Sequence, residues 1–145
     1  SEVEVMSVQH HDDALAITSH LPHLIAFAIF HTGLKHEEAS QSEVMKYSSG
    51  GFRDFTRIAS SNPTMWRDIF LNNKEAVLRV LKQFNTDLSV LAKAIEENDG
   101  AMLVDALSKS RLTRRKVIEK EHISVTAPKR GQEDVFPIVR PYGDD

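Results

Sequence analysis

Apolar residues recur every three or four positions through the middle of the chain, and this spacing constrains the fold more than any other feature. The recurring positions are Trp66, Ile69, Phe70, Val77, Val80, Leu81, Phe84, Leu88, Leu91 and Ile95. Residues spaced in this way share one face of an α-helix, so the pattern predicts one long amphipathic helix. Asn62 and Pro63 are expected to be its N-cap and first helical residue, and Gly100 to close it in a left-handed conformation.

A second helix is predicted nearer the start of the chain. Apolar residues are dense up to about Thr32, and either Asp12 or Asp13 is expected to be the N-cap. The run Leu24–Phe30 is apolar on all sides, which is typical of a helix buried within a core or between subunits. Pro22 lies inside this helix and removes one amide donor, so we expect a kink beside it.

The remaining segments complete an all-α interpretation. Residues 31–47 are polar and favour a short helix with loops around it, and residues 101–119 favour another helix that becomes strongly basic towards its C-terminus. Beyond His122, three prolines, a glycine and mixed charges predict a tail or an interdomain linker. No repeat and no convincing set of strands is present, so the predicted class is all-α.

Composition excludes several kinds of partner. The 145 residues carry a net charge of −3, which gives no basic footprint for nucleic acid, and contain no cysteine for a disulfide or thiolate metal site. The apolar run Leu24–Phe30 is too short to cross a bilayer, and the first residues do not form a signal peptide. A cytoplasmic location is therefore expected. The start of the chain has no initiator Met, and we interpret the chain as a fragment.

The pair Gly50-Gly51, followed by Arg53 and Arg57, predicts an anion site. Glycines let backbone donors approach a ligand closely, and a guanidinium binds a carboxylate through two parallel charge-assisted hydrogen bonds. A carboxylate or a phosphate fits this pattern. A structural salt bridge from Arg57 to Asp54 or Asp68 explains it equally well from the residues alone.

Two histidines, His20 and His23, are three positions apart and share a helical face. They suit binding of a substrate oxygen, proton transfer or, with carboxylates, a metal site, and a metal hydrolase built on them is one alternative. Ordinary hydrogen-bonded histidines are at least as good an interpretation, because no His-Glu-x-x-His pattern is present. Core packing is the better interpretation of Trp66 from the residues alone. No Gly-x-Gly-x-x-Gly occurs, so no dinucleotide fold is predicted.

Three separated motifs carry a resemblance to a known family. His11-Asp12 followed by Ser19-His20-Leu21-Pro22-His23, then residues 50–59 from Gly50 to Ala59, then residues 65–69 from Met65 to Ile69, occur in matching order and spacing. Residues 8–120 thereby resemble the C-terminal helical domain of the prephenate and arogenate (cyclohexadienyl) dehydrogenases of tyrosine biosynthesis. The resemblance implies an all-α dimerisation domain with a long amphipathic helix, like the C-terminal domain of 6-phosphogluconate dehydrogenase.

The same resemblance implies an activity for the whole enzyme. Residues 1–122 would form the helical dimerisation and substrate-binding domain of a homodimer, residues 123–145 a tail or linker, and a Rossmann domain absent from this chain would bind NAD or NADP. The reaction is oxidative decarboxylation of prephenate to 4-hydroxyphenylpyruvate, or of arogenate to tyrosine. The proton-accepting histidine belongs to a motif before this chain begins, so the isolated fragment is expected to be inactive. Tyrosine inhibition and fusion to a second shikimate-pathway enzyme occur among such relatives.

By motif, the resemblance assigns substrate binding to six residues. Arg57 corresponds to an arginine that holds a substrate carboxylate, and His23 to a residue associated with recognition of the substrate side chain and of tyrosine. The further candidates are His20, His11, Gly50 and Trp66. No residue of this chain is assigned to the cofactor or to a metal. The rival interpretation is a non-catalytic helical interaction module without a ligand site, in which Arg57 and His23 serve folding or assembly.

Overall fold

The computed structural model of the chain describes residues 6–40, 43, 46, 47 and 49–126, with backbone alone from residue 121. The described residues are helical, and none of them forms a strand. The α-helices are α1 (Val8–Leu15), α2 (Leu21–Ser40), α3 (Gly50–Thr56), α4 (Pro63–Asn72), α5 (Lys74–Glu96) and α6 (Gly100–Thr126). A π-helical segment, Ala16–His20, joins α1 to α2, and a 3₁₀ helix, Arg57–Ser60, follows α3. The predicted all-α class is confirmed.

The first helical stretch runs farther in both directions than the sequence predicted. Ser7 is its N-cap and accepts a hydrogen bond from the His10 amide at 3.2 Å, so the assignment of that role to Asp12 or Asp13 was wrong. At the other end α2 continues to Ser40, and residues 31–40 belong to it instead of to a separate short helix. Residues 41, 42, 44, 45 and 48 of the predicted short helix lie outside the described residues.

The continuous stretch Val8–Ser40 is long and apolar enough, by length and composition, to cross a membrane. Buried core helices of soluble proteins meet the same criterion, so the observation is weak. In this chain Leu21 and Ala26 are buried, whereas Phe30 is exposed and most residues between them are partly covered. The single chain thus leaves open part of the all-round apolar surface for which the sequence predicted complete burial.

The predicted single long helix is two helices. Asn73 separates α4 from α5 with a φ of −111° and a ψ of 34°, outside the helical conformation. Its side-chain amide donates a 2.9 Å hydrogen bond to the Asp12 carbonyl on α1. The apolar spacing continues through this break, because the break depends on a contact 61 positions away in sequence and leaves the local pattern unchanged.

The chain divides into two compact units, Ser1–Lys93 and Ala94–Asp145. In the second unit the left-handed residue is Asn98, with a φ of 56°, and Gly100 is instead the first residue of α6. Asp99 caps α6 by accepting from the Met102 amide at 3.0 Å. The helix extends to Thr126, past the predicted end at residue 119, and residues 127–145 lie outside the described part.

The core of the first unit lies between the π-helical segment and α5. Ala16, Ala76 and Val77 are buried there, and larger apolar residues such as Leu24 and Phe70 pack around them. Small side chains at the centre let the two helices approach closely. An ion pair between Asp13 and Arg79 links α1 to α5 at the edge of this contact. This packing brings the end of the π-helical segment towards α4.

The cap of α4 gives a direct test of the fold. The Asn62 side chain accepts from the amides of Thr64 at 3.0 Å and Met65 at 3.1 Å, as the sequence predicted. We expect Asn62→Ala to lower the free energy of unfolding by about 1 kcal/mol, because two amide donors lose their acceptor. Guanidinium titration followed by circular dichroism measures this. Asn72→Ala, at the exposed end of the same helix, is the control, and an equal loss there would contradict the assignment.

Candidate functional site

A wide helical turn places His20. The Leu21 amide donates to the Ala16 carbonyl five residues earlier, which closes a π turn that ends at His20. Pro22 follows two residues after His20, and its ring would crowd the Thr18 carbonyl in a regular α-helix. The wider turn relieves this crowding, and π turns of this kind are frequent at functional sites. A π turn therefore precedes Pro22, where the sequence predicted a kink.

His20 is buried, with 9% of its surface exposed, and has two neighbours across the fold. Its Nδ1 lies 3.3 Å from the Asn73 Nδ2, and its ring meets that of Trp66 edge to face with centroids 6.1 Å apart. Burial lowers the pKa of His20 below its ordinary value, and the nearby charge of His23 lowers that pKa further, while Asp12 opposes the shift. The ring is therefore neutral near pH 7.

His23 lies flat against Trp66. The two ring centroids are 3.6 Å apart and the planes differ by 17°, a stacked arrangement. The His23 Nδ1 lies 2.9 Å from the Ser19 carbonyl, one helical turn earlier. Because a carbonyl only accepts, Nδ1 carries the hydrogen and the neutral ring keeps Nε2 as an acceptor. Stacking and this hydrogen bond together fix the ring.

Trp66 joins the two histidines into one cluster. It is buried, with 6% of its surface exposed, and also contacts the Phe70 ring at a centroid distance of 5.5 Å. In the described part of the chain, its Nε1 is the one fully buried side-chain nitrogen or oxygen without a hydrogen-bond partner. A cavity of about 240 Å³ lies beside the indole. Its lining is formed by Leu24, Phe27, Pro63, Trp66, Arg67 and Phe70.

Arg57 lies on the 3₁₀ helix that packs against α2, the helix carrying His23. Its side chain is exposed, and no ion pair to it is found within the described ranges. The alternative salt bridge to Asp68 does not form, because Asp68 pairs with the Arg67 Nε at 2.8 Å. No Arg57 pair with Asp54 is found among the same residues. The guanidinium is thus available to an anion.

The other two candidates, Gly50 and His11, are exposed. Gly50 is the first residue of α3 and is exposed, and a Cβ built on it meets no atom within 4 Å. The close approach expected at the glycine pair is therefore not formed by atoms of the described chain. His11 is exposed on α1, with its Nδ1 3.3 Å from the Asp12 carboxylate. No described contact joins either residue to Trp66.

Sequence reasoning missed Asn73 and assigned Phe70 only to an apolar face. Asn73 contacts His20 and Phe70 contacts Trp66, so both support the candidate site. An asparagine inside an apolar helical pattern was the available signal, since its side chain competes for backbone hydrogen bonds. Within the described residues, no group of three or more His, Asp or Glu side chains has the arrangement of a metal site.

Comparison with known proteins assigns the chain to a family. The family model for the prephenate dehydrogenase dimerization domain matches residues 7–109. The chain belongs to this family. A cyclohexadienyl dehydrogenase from Zymomonas mobilis is 44% identical over 112 residues, which are 77% of this chain and 38% of the relative. A prephenate dehydrogenase from Bacillus subtilis is 38% identical over 98 residues, covering 68% of this chain and 26% of that protein.

Solved structures agree with the family. A crystal structure of prephenate dehydrogenase from Aquifex aeolicus in complex with hydroxyphenyl propionate and NAD⁺ matches with a TM-score of 0.74 and 41% identity, over 80% of this chain and 40% of that one. The Synechocystis arogenate dehydrogenase has the same TM-score at 24% identity, over 80% of this chain and 42% of that one, and shows likeness of fold alone. The chain spans about two fifths or less of the length of these relatives.

The buried histidine predicts a pH dependence of stability. The pKa of His20 is lowered in the folded chain, so below about pH 6.5 the unfolded chain binds a proton that the folded chain does not yet bind. The free energy of unfolding should therefore fall as the pH drops below about 6.5, until His20 is protonated in the folded chain as well, and His20 should contribute no pH dependence well above that pH. We expect His20→Gln to make this decline shallower in urea titrations at each pH.

The matched control for this titration is His36→Gln. His36 is exposed on α2 and is not among the groups whose charges act on His20, so its replacement should leave the pH dependence close to that of the unaltered chain. An equally steep decline in His20→Gln would mean that another group binds the proton. The charges of His23 and His11 lower the pKa of His20 and that of Asp12 raises it, so none of these three positions is used as the control.

Proposed function

We propose that the chain is the dimerisation and substrate-binding part of a dehydrogenase that converts prephenate, or the related arogenate, by oxidative decarboxylation. The observation that carries the proposal is an exposed Arg57 guanidinium without an ion-pair partner in the described part, on a turn packed against the helix of His23. A neighbouring enzyme of the same family has been solved with hydroxyphenyl propionate, a ligand that joins an aromatic ring to a carboxylate. A ring and a carboxylate are the two features that this site suits.

The chemistry of the site favours a small anionic ring compound. A guanidinium binds a carboxylate through two parallel hydrogen bonds, which fixes orientation as well as charge. His20 and His23 supply polar atoms to hold substrate oxygens, and Trp66 and the cavity beside it supply apolar surface. In this proposal Arg57 and His23 contact the substrate, and His20, Trp66, His11 and Gly50 complete the pocket, the last two with parts of the enzyme beyond the described residues.

The cofactor belongs elsewhere in this proposal. The described residues contain no strand and therefore no strand-turn-helix unit for a dinucleotide, so they do not fit NAD or NADP. We assign the cofactor and the proton-accepting histidine to a part of the enzyme outside this sequence. This chain positions the substrate so that its ring carboxylate can leave as carbon dioxide while hydride passes to the cofactor. Fixed orientation of the substrate is a large source of rate in such reactions.

Pairing of two copies is the second role that we propose. Large apolar residues such as Leu78, Leu88 and Ile95 are exposed in the single chain, and the α2 run is only partly covered. The family model that matches the chain is that of a dimerization domain. A homodimer would cover this surface. The likeness to the C-terminal domain of 6-phosphogluconate dehydrogenase and the division into residues 1–122 and 123–145 remain predictions.

Further properties of the whole enzyme are also proposals. We place it in the cytoplasm, without nucleic acid or membrane partners, and regard tyrosine inhibition and a fused second shikimate-pathway domain as properties to be tested.

A non-catalytic interaction module is the rival function. The rival requires Arg57 and His23 to serve folding or assembly, and Arg57 is exposed without an ion pair in the described part, which favours a ligand role.

Replacement of Arg57 separates these two functions. In the complete dehydrogenase we expect Arg57→Ala to raise the KM for prephenate by about tenfold or more, because a charge-assisted contact to a carboxylate is lost, with the dimer still folded. Steady-state kinetics and native mass measure the two properties. Arg111→Ala, an exposed arginine on α6, is the control. An unchanged KM in Arg57→Ala would exclude the carboxylate role.

The proposed pairing of two copies predicts the native mass of the chain in solution. Light scattering across a concentration series should give twice the 16.3 kDa mass of the chain, because its exposed apolar surface favours association. Leu78→Lys, which places a charge on that surface, should shift the equilibrium towards the monomer. A well-folded monomer at all concentrations would mean that this part alone does not dimerise.

A further inference from the structure

Asn73 has an orientation that its neighbours determine. Its side-chain nitrogen lies 2.9 Å from the Asp12 carbonyl, which only accepts hydrogen bonds. The amide oxygen cannot occupy that place, because two acceptors would then face each other. The nitrogen is therefore the atom that faces both Asp12 and His20.

This orientation settles which nitrogen of His20 carries hydrogen. The Asn73 Nδ2 also lies 3.3 Å from the His20 Nδ1, and an amide nitrogen donates but does not accept. One hydrogen of the amide goes to the Asp12 carbonyl and the other to Nδ1, so Nδ1 is the acceptor. In the neutral ring the hydrogen is then on Nε2.

The two histidines of the cluster consequently carry opposite tautomers. The His23 Nδ1 donates to the Ser19 carbonyl, which leaves its Nε2 as an acceptor. The His20 Nε2 carries hydrogen and is a donor. No described residue pairs with either Nε2 atom, and neither is among the fully buried unpartnered atoms, so neither Nε2 is completely buried.

We propose that Asn73 is a positioning residue that holds His20 with hydrogen on Nε2, so that His20 offers the substrate a donor while His23 offers it an acceptor. The inference rests on the proposed function for the identity of the substrate, an anionic ring compound with carboxylate or carbonyl acceptors and a hydroxyl donor. His20 would donate to an acceptor oxygen of that compound, and His23 would accept from its hydroxyl or a bridging water. The break between α4 and α5 thus places an amide where the site requires one.

The tautomer itself is measured without a substrate. Long-range ¹H–¹⁵N correlation on the full chain, labelled with ¹⁵N-histidine, distinguishes protonated from unprotonated ring nitrogens, and His20→Gln identifies the resonances of His20. We expect hydrogen on Nε2 of His20 and on Nδ1 of His23 when both rings are neutral. Hydrogen on Nδ1 of His20, or the mixture of tautomers of a free imidazole, would overturn the proposal.

Asn73→Asp tests the cause. A carboxylate accepts from the ring, so we expect the hydrogen of His20 to move from Nε2 to Nδ1. Asn72→Asp introduces the same charge at the neighbouring exposed position and should leave the tautomer unchanged. An unchanged tautomer in a folded Asn73→Asp would overturn the proposal. If that variant does not fold, the spectrum of the unaltered chain decides.

Kinetics of the complete dehydrogenase test the consequence. Asn73→Asp should raise the KM for prephenate by about tenfold with a smaller change in kcat, since one hydrogen bond to the substrate is lost. In a His20→Gln background the same replacement should have no further effect, whereas a purely structural role of Asn73 would persist there. A persisting effect would overturn the positioning role.

The outcomes of the two proposals are distinguishable. An unchanged KM in Arg57→Ala would contradict the proposed function but would not change the expected NMR spectrum of His20. Hydrogen on Nδ1 of His20 would contradict only the positioning role of Asn73, whatever the substrate is.

Discussion

The missing amide hydrogen of Pro22 is the constraint on which the candidate site depends. Pro22 lies inside a helical stretch of 33 residues, where its ring would clash with a backbone carbonyl in a regular α-helical turn. A π turn that ends at His20, two residues before Pro22, avoids this clash. The end of this turn faces α4 and the residue that follows it. From there the site is assembled by contacts between rings and one side-chain amide.

Local signals in the sequence predicted what local interactions determine. Asn62 and Pro63 were assigned correctly because a cap and a first helical residue depend only on the next three amides. The break at Asn73 was missed because its cause is a carbonyl on another helix. Asn98, and not Gly100, has the left-handed conformation, which asparagine also tolerates, and Gly100 is the first residue of α6.

The candidate site was predicted in part for the same reason. Motif resemblance named His20, His23 and Trp66, and the structure brings these three into contact. It could not indicate that His11 and Gly50 are exposed and make no described contact with Trp66. Nor could it reveal the role of Asn73, because the tautomer of a histidine depends on the atoms around it and leaves no mark in residue spacing.

The core of the first unit is built from small residues, and this has a cost. Ala16 and Ala76 let helices approach closely but bury little apolar surface each. Larger residues such as Leu78 remain exposed. Cover from a second copy, as proposed, would bury more apolar surface and so add to the stability of the fold. The candidate site and the proposed pairing surface both include residues of α2.

Trp66 is the single tryptophan of the chain, and it lies within the cluster of rings. The ultraviolet emission of the native protein at long excitation wavelengths therefore comes from the candidate site and nowhere else. The His23 ring is stacked on the indole with centroids 3.6 Å apart, so a change in this stacking would change the emission of the chain. The molecule carries a built-in optical probe of its own pocket, which requires no label and no substitution.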